Sequence, residues 1–244
     1  MTDNHTSRLQ LENVSHQYGN VSVIHDLNLN VNSGEVVVVV GPSGCGKTTI
    51  LNLLSGHIKP TRGTIYTAGV IRTVYQQDGL FPWLTVSENI SMGLRSVKDK
   101  AWQQKEVNEL LELIHLQEFR DHYPHQLSGG MRQRVELARV LAGDSDILLM
   151  DEPFSALDYQ TRLRMRHELV RLLQKRPRTV VFVTHDIEEA AQLADRVLVL
   201  SNRPSTICRE LKIQALRPRP LTHPEVITSM DEILKELGLN TAGE

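Results

Sequence analysis

The sequence predicts an α/β fold: buried strands alternating with helices, an inserted helical subdomain and a small antiparallel β region. Short apolar runs at Val36–Val40, 147–150 and 180–184 are the right length for strands buried on both faces. Residues 84–140 are rich in helix formers and carry little strand signal. Before them, residues 9–14 and 23–31 place apolar side chains at partly alternating positions, as half-buried strands do.

Taken in order, Leu9, Leu11 and Val14 mark a first strand, and Ile24, Leu27, Leu29 and Val31 a second. Asn32-Ser33-Gly34 is a turn, and the all-valine run 36–40 is the most buried strand expected in the chain. Gly41 ends it, and residues 48–55 read as a helix closed by Gly56. Pro60 to Gly63 is a turn, and 70–75 another strand. Glu106 to Ile114 is a helix within the helical block. Strands at 147–150, 180–184 and 197–200 complete the core. After Ser201, Arg217-Pro218-Arg219-Pro220 reads as a stiff basic linker. Val226, Ile227, Met230, Ile233, Leu234 and Leu237 then recur at helical spacing, as in a packing helix or a small docking element.

The 244 residues suffice for one large α/β domain with an inserted subdomain. With 40% hydrophobic and 23% charged residues the composition is globular, and a formal net charge of -2 supplies no strong field for nucleic acid. Cys45 and Cys208 suggest neither a disulfide framework nor a metal cage. The polar start Met1-Thr2-Asp3-Asn4-His5 lacks the apolar core of a signal peptide, and no apolar run is long enough to cross a bilayer. A role at a membrane therefore calls for a partner that does the spanning.

Gly41-Pro42-Ser43-Gly44-Cys45-Gly46-Lys47-Thr48 has the spacing of a phosphate loop, and it stands between a buried strand and a helix, where such a loop must stand. Its glycines let backbone N–H groups converge on phosphate oxygens, and the helix start adds partial positive charge. Lys47 is expected on the β- and γ-phosphates and the Thr48 hydroxyl on Mg²⁺, with Thr49 also among the nucleotide-binding residues. Asp151 and Glu152 end the strand that begins at Ile147. Alone they are equally an acidic surface loop. Beside a phosphate loop, Asp151 reads as the Mg²⁺ carboxylate and Glu152 as the base that polarises water. In Leu127-Ser128-Gly129-Gly130-Met131-Arg132-Gln133-Arg134, Ser128 is a good N-cap and Gly129-Gly130 expose backbone N–H groups, a second anion site or a flexible cap. Cys45 is either a small residue that fits or a thiol activated by the electropositive loop.

The 127–134 stretch resembles the signature motif of the ATP-binding subunits of ATP-binding cassette (ABC) transporters, and the family's other elements follow in the family's order over most of residues 8–205. The resemblance implies a phosphate-loop (RecA-like) NTPase core. It implies that Tyr18 stacks on adenine, that Gln76 senses Mg²⁺ and couples to a membrane subunit, that Ser155-Ala156-Leu157-Asp158 lies at a dimer interface, and that His185 is the switch histidine. Taken singly, Tyr18 could be a surface tyrosine, Gln77 adjoins Gln76, and His185 could be structural. The family further implies a head-to-tail dimer holding two ATP molecules, each between the phosphate loop of one chain and Ser128-Gly129-Gly130 of the other. It implies permease subunits as partners, indirectly a solute-binding protein, and a peripheral place on the cytoplasmic face of the cell membrane.

Asp78-Gly79-Leu80-Phe81-Pro82-Trp83-Leu84-Thr85-Val86 and the Arg-Pro tail are similar to importers of nitrate, sulfonates, taurine and related solutes. Residues 67–75 form a shorter segment than that family usually carries. The implied division is a β region and phosphate-loop part over 1–82, a helical subdomain over 83–140, the rest of the core over 141–205, and a linker and helix over 206–244. The competing readings are a non-transport cassette ATPase, usually two cassettes in one chain or one with a coiled-coil insertion, and a phosphate-loop kinase, which lacks Ser128-Gly129-Gly130 and His185.

Overall fold

The computed structural model describes residues 7–75 and 79–239. Gln76 and Asp78 lie outside the described residues. β1 (Ser7–Tyr18) and β2 (Val21–Asn32) form an antiparallel hairpin turning at Gly19 and Asn20, and β4 (Arg62–Thr67) pairs with the other edge of β1. The second sheet has six strands in the order β5-β6-β7-β3-β8-β9. These are β3 (Val36–Val40), β5 (Ile71–Val74), β6 (Ile147–Asp151), β7 (Thr179–Val183), β8 (Arg196–Leu200) and β9 (Ile207–Lys212). All pair in parallel except β9, which runs antiparallel to β8.

The all-valine strand has a direct cause. Val37 and Val39 face a cluster with α1 (Lys47–Leu54) and the inner face of β1 and β2, while Val36, Val38 and Val40 face the helices on the other side. Each of the five is at most 3% exposed. A β-branched residue at every position suits a strand without a solvent face. The helical block holds α2 (Val86–Ser91), α3 (Lys100–Leu113) and α4 (Gly129–Ala142). Thr85 and Glu88 form a capping box on α2, Asp99 caps α3, and α5 (Tyr159–Lys175), α6 (Ile187–Leu193) and α7 (Pro224–Glu236) complete the helices named here.

Three expectations need correction. The turn expected at 60–63 leads straight into β4, whose polar, largely exposed residues give no apolar alternation to read. The segment after Ser201 contains β9, an edge strand of the core sheet, so that part of 206–244 is not a linker. Arg217 and Arg219 are packed against α6 rather than solvated. Element ends elsewhere differ by a few residues; the first helix starts at Lys47, and the 106–114 helix extends back to Lys100. Among the described residues no helix is long and apolar enough to cross a membrane.

The short 67–75 segment crosses from one sheet to the other in residues 68–70. Gly69 has φ +121°, and a Cβ there would stand 2.5 Å from Asp146 Oδ2. Asp146 in turn accepts from the Val70 N–H at 2.9 Å and donates its own N–H to Val70 O at 3.0 Å. Gly69→Ala combines a strained φ with this overlap, so it should cost about 2 kcal/mol and lower Tm by roughly 5 °C. A thermal melt checks it, and an unchanged Tm would remove Asp146 as the constraint on this crossing.

Candidate functional site

The C-terminal ends of β6, β7 and β3 stand side by side because those strands are consecutive in the sheet. Residues that follow a parallel strand emerge at that edge, which is where ligands of open α/β sheets bind. Val40 leads into the phosphate loop, Asp151 and Glu152 end β6, and Thr184 and His185 follow β7.

Gly44 and Gly46 take φ +74° and +112° in the loop. A Cβ on Gly46 would come within 2.8 Å of Val23 and 2.9 Å of Ile24, so the hairpin bearing Tyr18 is laid against the loop. Lys47 is buried, and its Nζ donates to Gly41 O at 2.8 Å and Pro42 O at 3.1 Å. Ser43 and Thr48 are exposed, Thr49 is buried, and the Thr48 side chain lies beside the Asp151 carboxylate. Burial pushes the Asp151 carboxyl above its usual range and Glu152 adds to that, against the opposing pull of Thr48 and Lys47.

Cys45 is 2% exposed, and burial raises its thiol pKa although Lys47 lies close. Its carbonyl accepts from the Ser205 hydroxyl. Of the two readings of Cys45, the small residue that fits agrees with this geometry; an activated thiolate does not.

Glu152 has φ +46°, a left-handed conformation that costs a non-glycine residue of order 1–3 kcal/mol. Hydrogen bonds on both its N–H and its carbonyl hold it there. Its N–H donates to Val183 O at 3.0 Å, and its carbonyl accepts from Gln133 Nε2 at 3.0 Å and the Ser155 hydroxyl at 2.9 Å. The carboxylate Oε1 meets His185 Nδ1 at 2.9 Å, with the histidine ring 61% exposed. Glu152 and His185 are therefore in contact before any ligand is considered.

Ser128 caps α4 by accepting from the Met131 N–H at 3.3 Å. Ser128 and Gly129 are exposed at the start of that helix, on the helical block rather than on the strand edge that carries Lys47, Asp151 and Glu152. The link between the two parts is Gln133, a member of the 127–134 motif that sequence reading assigns no role of its own. It is 5% exposed, it donates to Glu152 O, and its Oε1 accepts from the Ala156 N–H at 3.0 Å. Asp158 closes the 155–158 turn by capping α5 through the Thr161 N–H, which holds its carboxyl below the usual range.

Tyr18 is 49% exposed at the hairpin tip, and His16 supports it edge-on with ring centroids 4.6 Å apart. A buried ionic cluster lies behind His185. Asp186 Oδ2 accepts from Arg166 at 2.7 Å and Arg162 at 2.9 Å, and Glu189 accepts from Arg166 at 3.1 Å and the Thr184 hydroxyl at 2.7 Å. Sequence reading missed these arginines because nothing local distinguishes them from surface charges on α5.

The family described as ABC transporter matches residues 24–155, more than half of the chain. The aliphatic sulfonates import ATP-binding protein SsuB 1 of Rhodococcus jostii is 41% identical over 235 residues, 94% of this chain and 93% of its own. The taurine import ATP-binding protein TauB of Jannaschia sp. is 39% identical over 219 residues, 84% and 82% of the two chains. Among solved structures, a dimeric ATP-binding cassette in a post-hydrolysis state bound to ADP and Pi superposes with a TM-score of 0.76 at 33% identity, over 85% of this chain and 100% of that one.

The raised pKa of Asp151 fixes the sign of one pH effect. Its folded-state value lies above the ordinary 3.8, so the buried carboxylate weakens the fold above that raised value and ceases to do so as pH falls towards the ordinary one. Asp151→Asn should therefore melt higher than the wild type at neutral pH, with the gap closing as pH falls towards about 4. Thermal melts across that range check it; a gap that widens on acidification would contradict the burial argument.

Proposed function

The chain belongs to the ATP-binding cassette family, and from that premise we propose that it is the ATP-hydrolysing subunit of an importer, working as a pair with a second copy on a membrane permease. The observation that carries the site assignment is the convergence of Lys47, Asp151 and the Glu152–His185 pair on adjacent strand ends. ATP is the substrate. Tyr18 takes the adenine face, and the N–H groups of the loop from Gly41 to Thr48, with Thr49 behind them, take the phosphates. Lys47, folded onto neutral carbonyls, exchanges them for phosphate oxygens, which are better acceptors of a charge-assisted bond.

Mg²⁺ suits the donor set. A hydroxyl from Thr48 and a carboxylate from Asp151 are hard oxygen ligands of the kind a phosphate-bound Mg²⁺ takes. A carboxylate crowded by Glu152 is also eased by a cation. Bound there, the ion would neutralise charge on the phosphates, with Gln76 as a further ligand from the family pattern. Glu152 takes the proton of the attacking water. His185 donates from Nδ1 to the carboxylate, fixes its orientation and presents its exposed edge to the γ-phosphate.

Ser128-Gly129-Gly130 on the helical block, with Ser128 and Gly129 exposed, supply a second set of amide donors to the nucleotide of the other copy. Gln133 joins those donors to Glu152 and to the 155–158 turn within one chain, so closure of the pair and alignment of the base become one event. The helical subdomain over 83–140, with Trp83 69% exposed, is the surface offered to the permease. The solute belongs to the class of small molecules that includes sulfonates, taurine and nitrate, delivered by a binding protein, with the chain on the cytoplasmic face. The relatives named for sulfonate and taurine import support that class.

Glu152→Gln should bind ATP within about twofold of wild type while kcat falls by roughly 10²–10⁴. Phosphate release beside equilibrium ATP binding measures both, and normal turnover would remove Glu152 as the base. Ser128→Arg places a bulky side chain at the second amide site; it should abolish turnover and leave ATP binding by the single chain intact. Unimpaired hydrolysis in that variant would reject the arrangement across two copies.

A further inference from the structure

α6 has only seven residues, too few to hold helical shape without outside support. It begins directly after His185 and Asp186, so its position fixes where the histidine stands. Its N-terminal end is held by α5, through Arg162 and Arg166 on the Asp186 carboxylate. Its C-terminal end is held by the chain after β9. Arg219, 3% exposed, donates from Nη1 to Ala194 O at 2.6 Å and Ala191 O at 3.2 Å, and from Nε to Ala215 O at 2.6 Å. Arg217 donates to Leu193 O at 3.2 Å and to Asp195 at 2.9 Å, while its own carbonyl accepts from Gln174 on α5 at 2.7 Å. Two guanidinium groups thus take the carbonyls that a helix end leaves without intrahelical donors, where the helix dipole favours cations.

Gln192 ties the two ends together. Its Oε1 accepts from Arg166 Nη1 at 3.1 Å and its Nε2 donates to Arg219 O at 3.2 Å. An unbroken run of direct contacts therefore leads from the Arg219 carbonyl through Gln192 and Arg166 to Asp186, the residue beside His185, and from His185 to Glu152 at 2.9 Å.

We propose that the Arg217-Pro218-Arg219-Pro220 strap is a positioning element for hydrolysis, and that Arg219 acts on the rate through α6 and His185 without touching nucleotide. The proposal rests on the ATPase reading given above. Neither Arg217 nor Arg219 stands in the phosphate-loop, Asp151 or Ser128 machinery, so removing the strap should leave nucleotide affinity alone and misplace only the histidine.

The test uses the full chain and Mg-ATP, with turnover expressed per bound nucleotide so that any unfolded fraction drops out. Arg219→Ala should keep the ATP Kd within about twofold and lower kcat about tenfold, since small misplacements of a catalytic group are costly. Arg219→Lys, which keeps a cation at the helix end but not the forked donor, should fall between. In a His185→Ala background, followed by single-turnover phosphate release, Arg219→Ala should add little, because the residue it acts through is gone. Should Arg219→Ala fail to fold, Gln192→Met carries the same comparison with the arginine cap left in place. Wild-type turnover per bound nucleotide in these variants, or an undiminished effect without His185, overturns the proposal while the ATPase reading stands. A wild-type chain that neither binds nor splits ATP overturns both.

Discussion

The site depends on the order β6-β7-β3 in the middle of the parallel sheet. Three strand ends, spaced by ordinary ladder hydrogen bonding, put the acidic pair, the histidine and the phosphate loop beside one another. The strand ends need no loop search to meet, because the register fixes them: Asp151 pairs with Val183, and Val39 with Val183 on the other side. What the loops add is fine placement of side chains on a rigid edge.

That edge stores unfavourable energy where the chemistry is expected. Asp151 is a buried carboxylate beside another acid, and Glu152 holds a left-handed backbone. Such features persist only when their surroundings over-determine them. Here the restraint comes from Gln133 and Ser155 on the Glu152 carbonyl, and from the arginine cluster behind His185. Ser128, at the start of α4, and the 155–158 turn connect to the same restraint through Gln133. The restrained strand edge and the helical block are thereby joined through one buried side chain.

Much of this was legible in the sequence, and the reason is locality. The phosphate loop, the acidic strand end and the capped signature helix are contiguous stretches whose residue types follow from backbone geometry alone. The five valines announce a two-sided burial that any sheet-centre strand requires. β4 and β9 were missed because edge strands with mostly exposed residues carry no apolar period. The contacts of Gln133, Arg166 and Arg219 were missed because most of their partners lie 19 to 28 positions away in the chain. The Arg-Pro tail looked like a solvated linker by composition, yet its guanidinium groups serve helix carbonyls that no composition reveals.

The central claim is that one nucleotide is completed by two copies of the chain, with Glu152 and His185 on one side and Ser128-Gly129-Gly130 on the other. The most direct measurement is Mg²⁺-dependent phosphate release at saturating ATP over a dilution series of the purified protein. The account predicts that specific activity falls on dilution and vanishes without Mg²⁺. A rate per chain independent of protein concentration, or no release at any concentration, would contradict it.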